Sequence, residues 1–408
     1  MKEHAYFDNA ATTWPKPPEV YAFMDSFFRS PGVNPGRSGS LLAAEAADMV
    51  SETRSMLAEF FNFSGPAERV IFTNNGTDSL NVAIGGIVSS GDHIITTRLE
   101  HNAVLRTANH LERDGGIAVT RVANNAAGYV NASDIESAVM PNTRAIILNH
   151  ASNVIGTVQP LVEIAAIAKK RGIALIVDAA QTAGVMPIDM KADGIDILAF
   201  PAHKGLFGPM GLGGMIVSES LELNPQRYGG TGVDSQSSFQ PERYPYRLEA
   251  GTLNIPGIAG LHAAQRWFNE LGVRLFKEQK LPVPDDHRSR VVAAMQHVHE
   301  TEIDLIERIE KTLGKYRQVT VLGQATRHKR VATLSFIAKD MSTEMIGDRL
   351  DADHHIVARS GLQCAPLVHV DADTVDSGGT IRLSPGYFTD EEDMQQLLAA
   401  LDDIFSEQ

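Results

Sequence analysis

The residues 196–214, DILAFPAHKGLFGPMGLGG, decide how this chain is read. Positions 195–200 form an apolar run of the length of a buried strand. His203 and Lys204 follow at once, and then a loop carrying Gly205, Gly208, Gly211, Gly213 and Gly214. A lysine at the mouth of a buried strand is partly desolvated, which lowers its pKa and leaves a nucleophilic amine able to form a Schiff base with an aldehyde. On spacing alone, Lys204 reads more simply as a solvated turn residue. The rest of the chain has to decide between the two.

Composition narrows the classes. The 408 residues predict one large domain and a smaller one. Hydrophobic residues are 43% and charged residues 21%, which predicts a folded core and not a disordered chain. The net charge of −14 argues against nucleic acid and anionic membrane as partners, but leaves room for a small anion in a local pocket. Cys364 is the only cysteine, so no internal disulfide and no all-cysteine metal site is expected. Met1–His4 does not resemble a signal peptide and no apolar run is long enough to span a bilayer, so a soluble cytoplasmic protein is expected.

Outward from the opening stretch, strand and helix patterns alternate. The strands are expected at 69–73, 93–97, 117–122, 144–150, 173–178, 195–200 and 214–217, and helices at 19–29, 41–63, 78–88, 102–113, 133–139 and 161–171. Residues 30–39, with Arg37, read as a Gly/Pro-rich loop, and 6–18 as an extended lead-in dense in hydrogen-bonding groups. The alternation predicts an α/β fold with a mostly parallel sheet flanked by helices, whose ligand sits at the carboxyl ends of the strands. After a loop-like 228–254, helices at 256–276, 286–313, 343–352 and 390–405 and strands at 319–322, 331–337 and 380–384 predict a smaller α+β unit.

The polar residues gather at those strand ends. Gly76-Thr77 opens a helix, where free N–H groups and the helix dipole favour a phosphate, although Gly-Thr is also an ordinary cap. His101 could stack on a ring or be a surface residue. Asp178 could cap a turn or hold a protonated ring nitrogen. With a desolvated Lys204, these groups match the phosphate, ring face, ring nitrogen and aldehyde of pyridoxal 5′-phosphate. Cys364 lies in the loop RSGLQCAP, 359–366, where Arg359 could stabilise a thiolate; its default reading is a buried structural cysteine. Arg382, a charge inside a strand pattern, is a candidate carboxylate clamp or a surface strand arginine.

Three stretches carry a resemblance: Asp178-Ala179-Ala180-Gln181, His203-Lys204 with Gly208-Pro209, and Arg359-Ser360-Gly361-Leu362-Gln363-Cys364-Ala365. With the N-terminal YFDNAATT, 6–13, they resemble the class V aminotransferase group of fold type I pyridoxal-phosphate enzymes, and within it the cysteine desulfurases and selenocysteine lyases. The resemblance implies an N-terminal arm (1–17), a large cofactor domain (18–256) and a small C-terminal domain (257–408). It implies Lys204 as the Schiff-base lysine, Asp178 on the pyridine nitrogen, Gln181 on the phenolic oxygen, Asn153 nearby and His101 stacked on the ring. Gly76, Thr77 and His203 would bind phosphate. Thr252 would reach the phosphate of a neighbouring subunit, making a homodimer. Asn9, Arg359 and Arg382 would serve the substrate, L-cysteine or L-selenocysteine, and Cys364 would take its sulfur as a persulfide and pass it to an acceptor protein.

The chain departs from the family pattern in three places. Pro201-Ala202 stands where a serine usually supplies a phosphate donor, Ser40 where a histidine is frequent, and Leu362-Gln363 where two histidines precede the cysteine of the best-known sulfur-mobilising members. The alternatives left by the residues are a selenocysteine lyase, an aminotransferase or different β-lyase with Cys364 incidental, and a binding module without catalysis.

Overall fold

The computed structural model describes residues 4–35, 40–323 and 326–406. Arg37 and its neighbours, 36–39, lie outside the described residues. The arm contributes β1 (Ala5–Tyr6), and α1 (Pro18–Arg29) and α2 (Leu41–Phe60) follow. Then come β2 (Val70–Thr73), α3 (Gly76–Ile87), β3 (His93–Thr97), α4 (Asn102–Asp114), β4 (Ala118–Val122), α5 (Ala132–Ser137), β5 (Thr143–Asn149), α6 (Leu161–Arg171), β6 (Ala174–Asp178), β7 (Ile197–Pro201) and β8 (Gly213–Val217). These strands form one seven-stranded sheet in the order β2-β8-β7-β6-β5-β3-β4. Only β8 runs antiparallel to its neighbours; the remaining pairs are parallel.

The central strands are apolar in their middles because both faces of the sheet are covered. Along β7, Ile197 and Ala199 enter the core shared with α3 and α4. Leu198 and Phe200 enter the opposite core, shared with α2, α6 and the next helix, α7 (Ile255–Glu278). Successive residues of β6 divide in the same way, Ile176 to one side and Leu175 and Val177 to the other. Each of the larger side chains among them contributes about 1.5–3 kcal/mol when taken out of water, so shifting the register of β7 by one residue would exchange two filled cores for two misfits.

The second unit holds a four-stranded antiparallel sheet. Its strands are β9 (Val319–Leu322), β10 (Leu334–Ala338), β12 (Arg359–Gly361) and β13 (Thr380–Leu383), in the order β12-β13-β10-β9. A further strand, β11 (Ile356–Val357), pairs in parallel with β1, and Ala5 and Phe7 of the arm join the second unit's core. The long helix α8 (His287–Leu313) ties the two cores together. Its Val291, Ala294, Met295 and Val298 pack with the large sheet, while Ile303, Ile306, Ile309 and Leu313 pack with the small one. The helices α9 (Thr343–Asp348), α10 (Pro366–Asp371) and α11 (Glu391–Ser406) complete the unit.

Among the helix ends that differ from the sequence pattern, two stand out. The helix expected over 41–63 stops at Phe60 because Asn62 takes a left-handed backbone, φ 50°. The N–H of Asn62 then reaches the Glu59 carbonyl at 3.0 Å and that of Phe63 the Ala58 carbonyl at 2.8 Å, the closed ending in which glycine is the usual residue. The helix expected over 343–352 ends earlier as an α-helix and continues as a π turn over Arg349–Asp353. At the start of α2, the Ser40 side chain accepts from the N–H of Ala43 at 3.3 Å, so the serine that replaces a family histidine is a helix cap.

Candidate active site

Along the carboxyl edge of the parallel strands, register aligns Asn149 of β5 with Asp178 of β6, and Asp178 with Ala199 of β7. Above this edge is a cavity of about 290 Å³. Its walls bring together Gly76, Thr77, His101, Asn153, Asp178, Gln181, His203, Lys204, Arg359, Cys364 and Arg382 from seven different segments of chain. Asn9 and Thr252 are not among them. The Asn9 amide is spent elsewhere, donating to the Ser384 carbonyl just past β13 at 3.0 Å and accepting from the Trp14 N–H of the arm at 3.1 Å. Thr252 is exposed.

Lys204 stands over the floor. Burial, above all, and the nearby Arg382 push its pKa down to about 8, against the opposing pull of Asp178, Asp8 and Cys364. With a pKa of about 8, roughly a tenth of the amine is unprotonated at pH 7, far more than for an ordinary lysine, which makes it the better nucleophile. Asp178 accepts from the Ala180 N–H at 2.9 Å, and burial raises its pKa; a cationic partner in the cavity would offset that cost. His101 caps α4, its Nδ1 accepting from the Ala103 N–H at 3.0 Å. Burial, followed by the charges of Lys204, Arg106 and Arg382, pushes its pKa down to about 4. The ring is therefore neutral, with its proton on Nε2.

The phosphate-like corner is built from α3. Asn75 caps the helix, accepting from Asp78 N–H at 2.9 Å, which leaves the N–H groups of Gly76 and Thr77 in the unpaired first turn. A side chain at Gly76 would meet the Pro201 ring at 3.3 Å. Pro201, which cannot donate a hydrogen bond, thus serves as the wall on which this turn rests. The Nδ1 of His203 is buried with no partner, and burial lowers its pKa to about 4.

Cys364 is exposed and is held over the cavity by its backbone. Its carbonyl accepts from the N–H of Asn102 at 2.7 Å, beside His101, and the preceding Gln363 carbonyl accepts from Asn153 Nδ2 at 2.6 Å. Gln363 and Cys364 both have positive φ, 41° and 59°. Gln363 is buried, exchanging hydrogen bonds with Thr380 at 2.9 and 3.2 Å. Arg382 is 3% exposed; its NH1 donates to the Asn153 carbonyl at 3.0 Å and its NH2 to Asp8 at 2.5 Å, while Nε has no partner. Arg359 binds the other oxygen of Asp8 through Nε and NH2, at 3.0 and 2.7 Å.

Asp8 is therefore a site residue that the sequence analysis did not single out, although it lies in the polar segment flagged at the N-terminus. Glu100, next to His101 in the chain, does not line the cavity; it is fully buried, with Oε1 accepting from Thr97 Oγ1 at 2.9 Å and Asn149 N–H at 3.0 Å and Oε2 without a partner. Burial pushes its pKa up to about 8.

The residues present fit pyridoxal phosphate. A reactive amine, a buried carboxylate, a neutral imidazole and an open helix turn line one cavity, and the unpartnered His203 Nδ1 and Asn153 Oδ1 are buried in its walls. Among the described residues, no group of three or more His, Cys, Asp or Glu side chains is placed to hold a metal ion, and no helix is long and apolar enough to cross a membrane.

The family described as Aminotransferase class-V matches residues 5–283 and 291–397 of the chain. The chain belongs to that family. A probable cysteine desulfurase of Methanothermobacter thermautotrophicus is 32% identical over 99% of this chain and 95% of its own length. The structure of a cysteine desulfurase from Thermococcus onnurineus NA1, in its apo form, superposes with a TM-score of 0.86 at 28% identity, covering 100% of this chain and 96% of its own. The cysteine desulfurase CsdA of Escherichia coli shares the fold, with a TM-score of 0.81 at 24% identity over 99% of this chain and 95% of its own.

Proposed function

We propose that this chain is a pyridoxal-phosphate-dependent cysteine desulfurase, converting L-cysteine to L-alanine and taking the sulfur on Cys364 as a persulfide. The observation that carries this is that the only cysteine of the chain opens onto the same cavity as Lys204 and Arg382. Pyridoxal phosphate, when bound, supplies a sink for the electrons released at the substrate Cα.

The remaining steps belong to the residues. Gly76, Thr77 and His203 hold the phosphate, Asp178 the ring nitrogen, Gln181 and Asn153 the polar edge of the ring, and His101 its face. Lys204 moves the proton at the substrate Cα. Arg382 orients the substrate carboxylate through the donors that Asp8 and Asn153 leave free. The Cys364 thiolate forms a bond to the substrate sulfur as the Cβ–S bond breaks. The electron pair of that bond stays with the carbon fragment, which is protonated to alanine. Selenocysteine fits the same residues, and relative rates on the two amino acids separate desulfurase from lyase.

The reading extends to a cytoplasmic homodimer with an arm (1–17), a large domain (18–256) and a small domain (257–408). Thr252 would be contributed to the neighbouring subunit's phosphate site. Its exposure supports this, as does that of Tyr228 and Phe239 in the same connecting segment. The reading includes a protein acceptor for the sulfur, and the exposure of Cys364 supports it.

The test is incubation of the purified protein with L-cysteine, assaying alanine and bound sulfur. Lys204→Ala abolishes the borohydride-fixable cofactor absorbance. Cys364→Ala keeps that absorbance and loses persulfide formation; sulfur transfer persisting in Cys364→Ala would sink the proposal.

A further inference from the structure

The arm residues Thr12-Thr13-Trp14-Pro15-Lys16 converge on the backbone of the His203–Lys204 pair. The His203 carbonyl oxygen receives three donors, the Thr13 N–H at 3.1 Å, the Thr12 hydroxyl at 3.1 Å and the Lys16 ammonium at 3.0 Å. The Thr13 hydroxyl has one proton to give. It lies nearer the Lys204 carbonyl, at 2.9 Å, and accepts from Lys16 Nζ at 3.2 Å. Lys16 makes a further bond to the Thr13 carbonyl at 3.0 Å. Every oxygen it touches is neutral.

We propose that Lys16 is a positioning residue for Lys204, acting through the His203 carbonyl. The peptide unit between His203 and Lys204 is planar, so fixing the direction of its C=O fixes the plane from which the Lys204 Cα, and hence its side chain, departs. The Lys204 carbonyl is held by Thr13, so both peptide planes flanking the Lys204 Cα are clamped by one five-residue stretch of the arm. Displacing a reacting group by an ångström costs about a hundredfold in rate, which is the precision such a clamp secures.

Packing alone does not account for Lys16. Burying an ammonium among neutral oxygens is unfavourable, and burial pushes the Lys16 pKa down to about 8. A methionine would fill the same space without that cost. The ammonium has what methionine lacks, three donors that can be aimed at three oxygens at once. Its aim is further fixed by prolines on both sides, Pro15 and Pro17, and by the bond from its own N–H to the Tyr21 hydroxyl at 3.1 Å.

This inference rests on the reading of Lys204 as the cofactor lysine, and the experiment separates the two. The holoenzyme is prepared as wild type, Lys16→Met, Lys16→Arg and Lys204→Ala, and kcat, KM and the induced circular dichroism of the cofactor band are measured. In Lys16→Met, kcat falls by about tenfold with KM within about twofold, and the dichroism weakens; Lys16→Arg recovers most of both. Wild-type kcat and dichroism in Lys16→Met overturn the proposal. Should Lys16→Met not fold, Thr12→Val removes another donor from the same oxygen, and wild-type values there overturn it equally. A borohydride-fixed cofactor band surviving in Lys204→Ala overturns the reading of Lys204 itself, whatever Lys16→Met does.

Discussion

The Asp8 carboxylate bridges Arg382 and Arg359, one oxygen 2.5 Å from Arg382 NH2 and the other 2.7 Å from Arg359 NH2. Arg359 belongs to β12, which runs directly into the cysteine loop, and Arg382 to β13, its hydrogen-bonded neighbour. One anion set between two cations leaves a net positive charge, which the carboxylate of the proposed substrate would meet, and fixes the direction in which Arg382 offers its remaining donors. Asp8 itself comes from the arm, beside the Asp8–Ser384 bridge that docks the arm onto β13. Three elements far apart in the chain thus share one charge network at the mouth of the cavity.

Asp8→Asn should therefore damage substrate capture more than chemistry. Removing one member of a buried ion pair costs about 3–5 kcal/mol when the other is left uncompensated, and here Arg382 is the member left behind. KM for L-cysteine is expected to rise by about tenfold or more with a smaller change in kcat, and Tm to fall. Steady-state kinetics and a thermal melt read both. An unchanged KM would show that Arg382 does not depend on Asp8 for its aim.

The depressed pKa of Lys204 predicts a distinct labelling profile in protein freed of cofactor. The amine reacts only when unprotonated, so its reactivity rises with pH through the folded-state pKa. Competitive acetylation followed by peptide mass mapping should place the midpoint for Lys204 near pH 8, against the ordinary lysine value of 10.5. The other lysine-bearing peptides of the same digest serve as the internal reference. A Lys204 midpoint that coincides with theirs would remove desolvation from the account.

Most strands of the large sheet were legible because they carry a short apolar run between polar ends, and that is a local property. Lys204, Asp178 and His101 were legible for the same reason, since each sits just past such a run. Asp8 was not, because its partners are 351 and 374 residues away. No pattern within the arm distinguishes a charge that caps a turn from one that bridges two arginines. The short strands Ala5–Tyr6, Ile356–Val357 and Arg359–Gly361 were equally hidden. Two or three residues are too few for a period of two to show, and their pairing exists only once the arm has folded back on the second unit. The end of α2 at Phe60 was missed because Asn62 does the work usually assigned to glycine.

Glu100 gives a prediction about stability with a definite sign. Its pKa is raised from 4.5 to about 8 by burial, so between those values the folded protein holds a proton that the unfolded chain has released. Stability contributed by this group is fully present below 4.5 and is lost as pH rises toward 8. Glu100→Gln supplies a permanently neutral isostere. Its unfolding free energy should exceed that of the wild type most clearly at pH 8, with a shallower decline from pH 5 to 8, in denaturant titrations at several pH values. Glu302, buried in α8 and likewise raised to about 8, contributes a parallel slope that the variant retains. A variant less stable than the wild type at pH 8 would mean that Glu100 is held ionised in the folded protein.

The cysteine loop offers the last prediction, at Gln363. Its side chain ties the loop to β13 through Thr380, and its carbonyl is held by Asn153, while the left-handed backbone at Gln363 and Cys364 stores strain that those bonds must offset. Gln363→Ala removes both side-chain bonds to Thr380 and leaves its buried carbonyl unsatisfied, a loss of about 1–3 kcal/mol. The left-handed conformation is disfavoured for alanine as well, so the loop should relax away from the cavity. On the proposed reading Lys204 and Asp178 would hold the cofactor, and neither is bonded to the Gln363 side chain, so the cofactor's absorbance and its binding should be unchanged. Sulfur transfer to Cys364 should slow by about tenfold, visible in single-turnover persulfide formation from L-cysteine. Equal rates in variant and wild type would show that Cys364 reaches the substrate by a motion to which the Gln363–Thr380 tether is irrelevant.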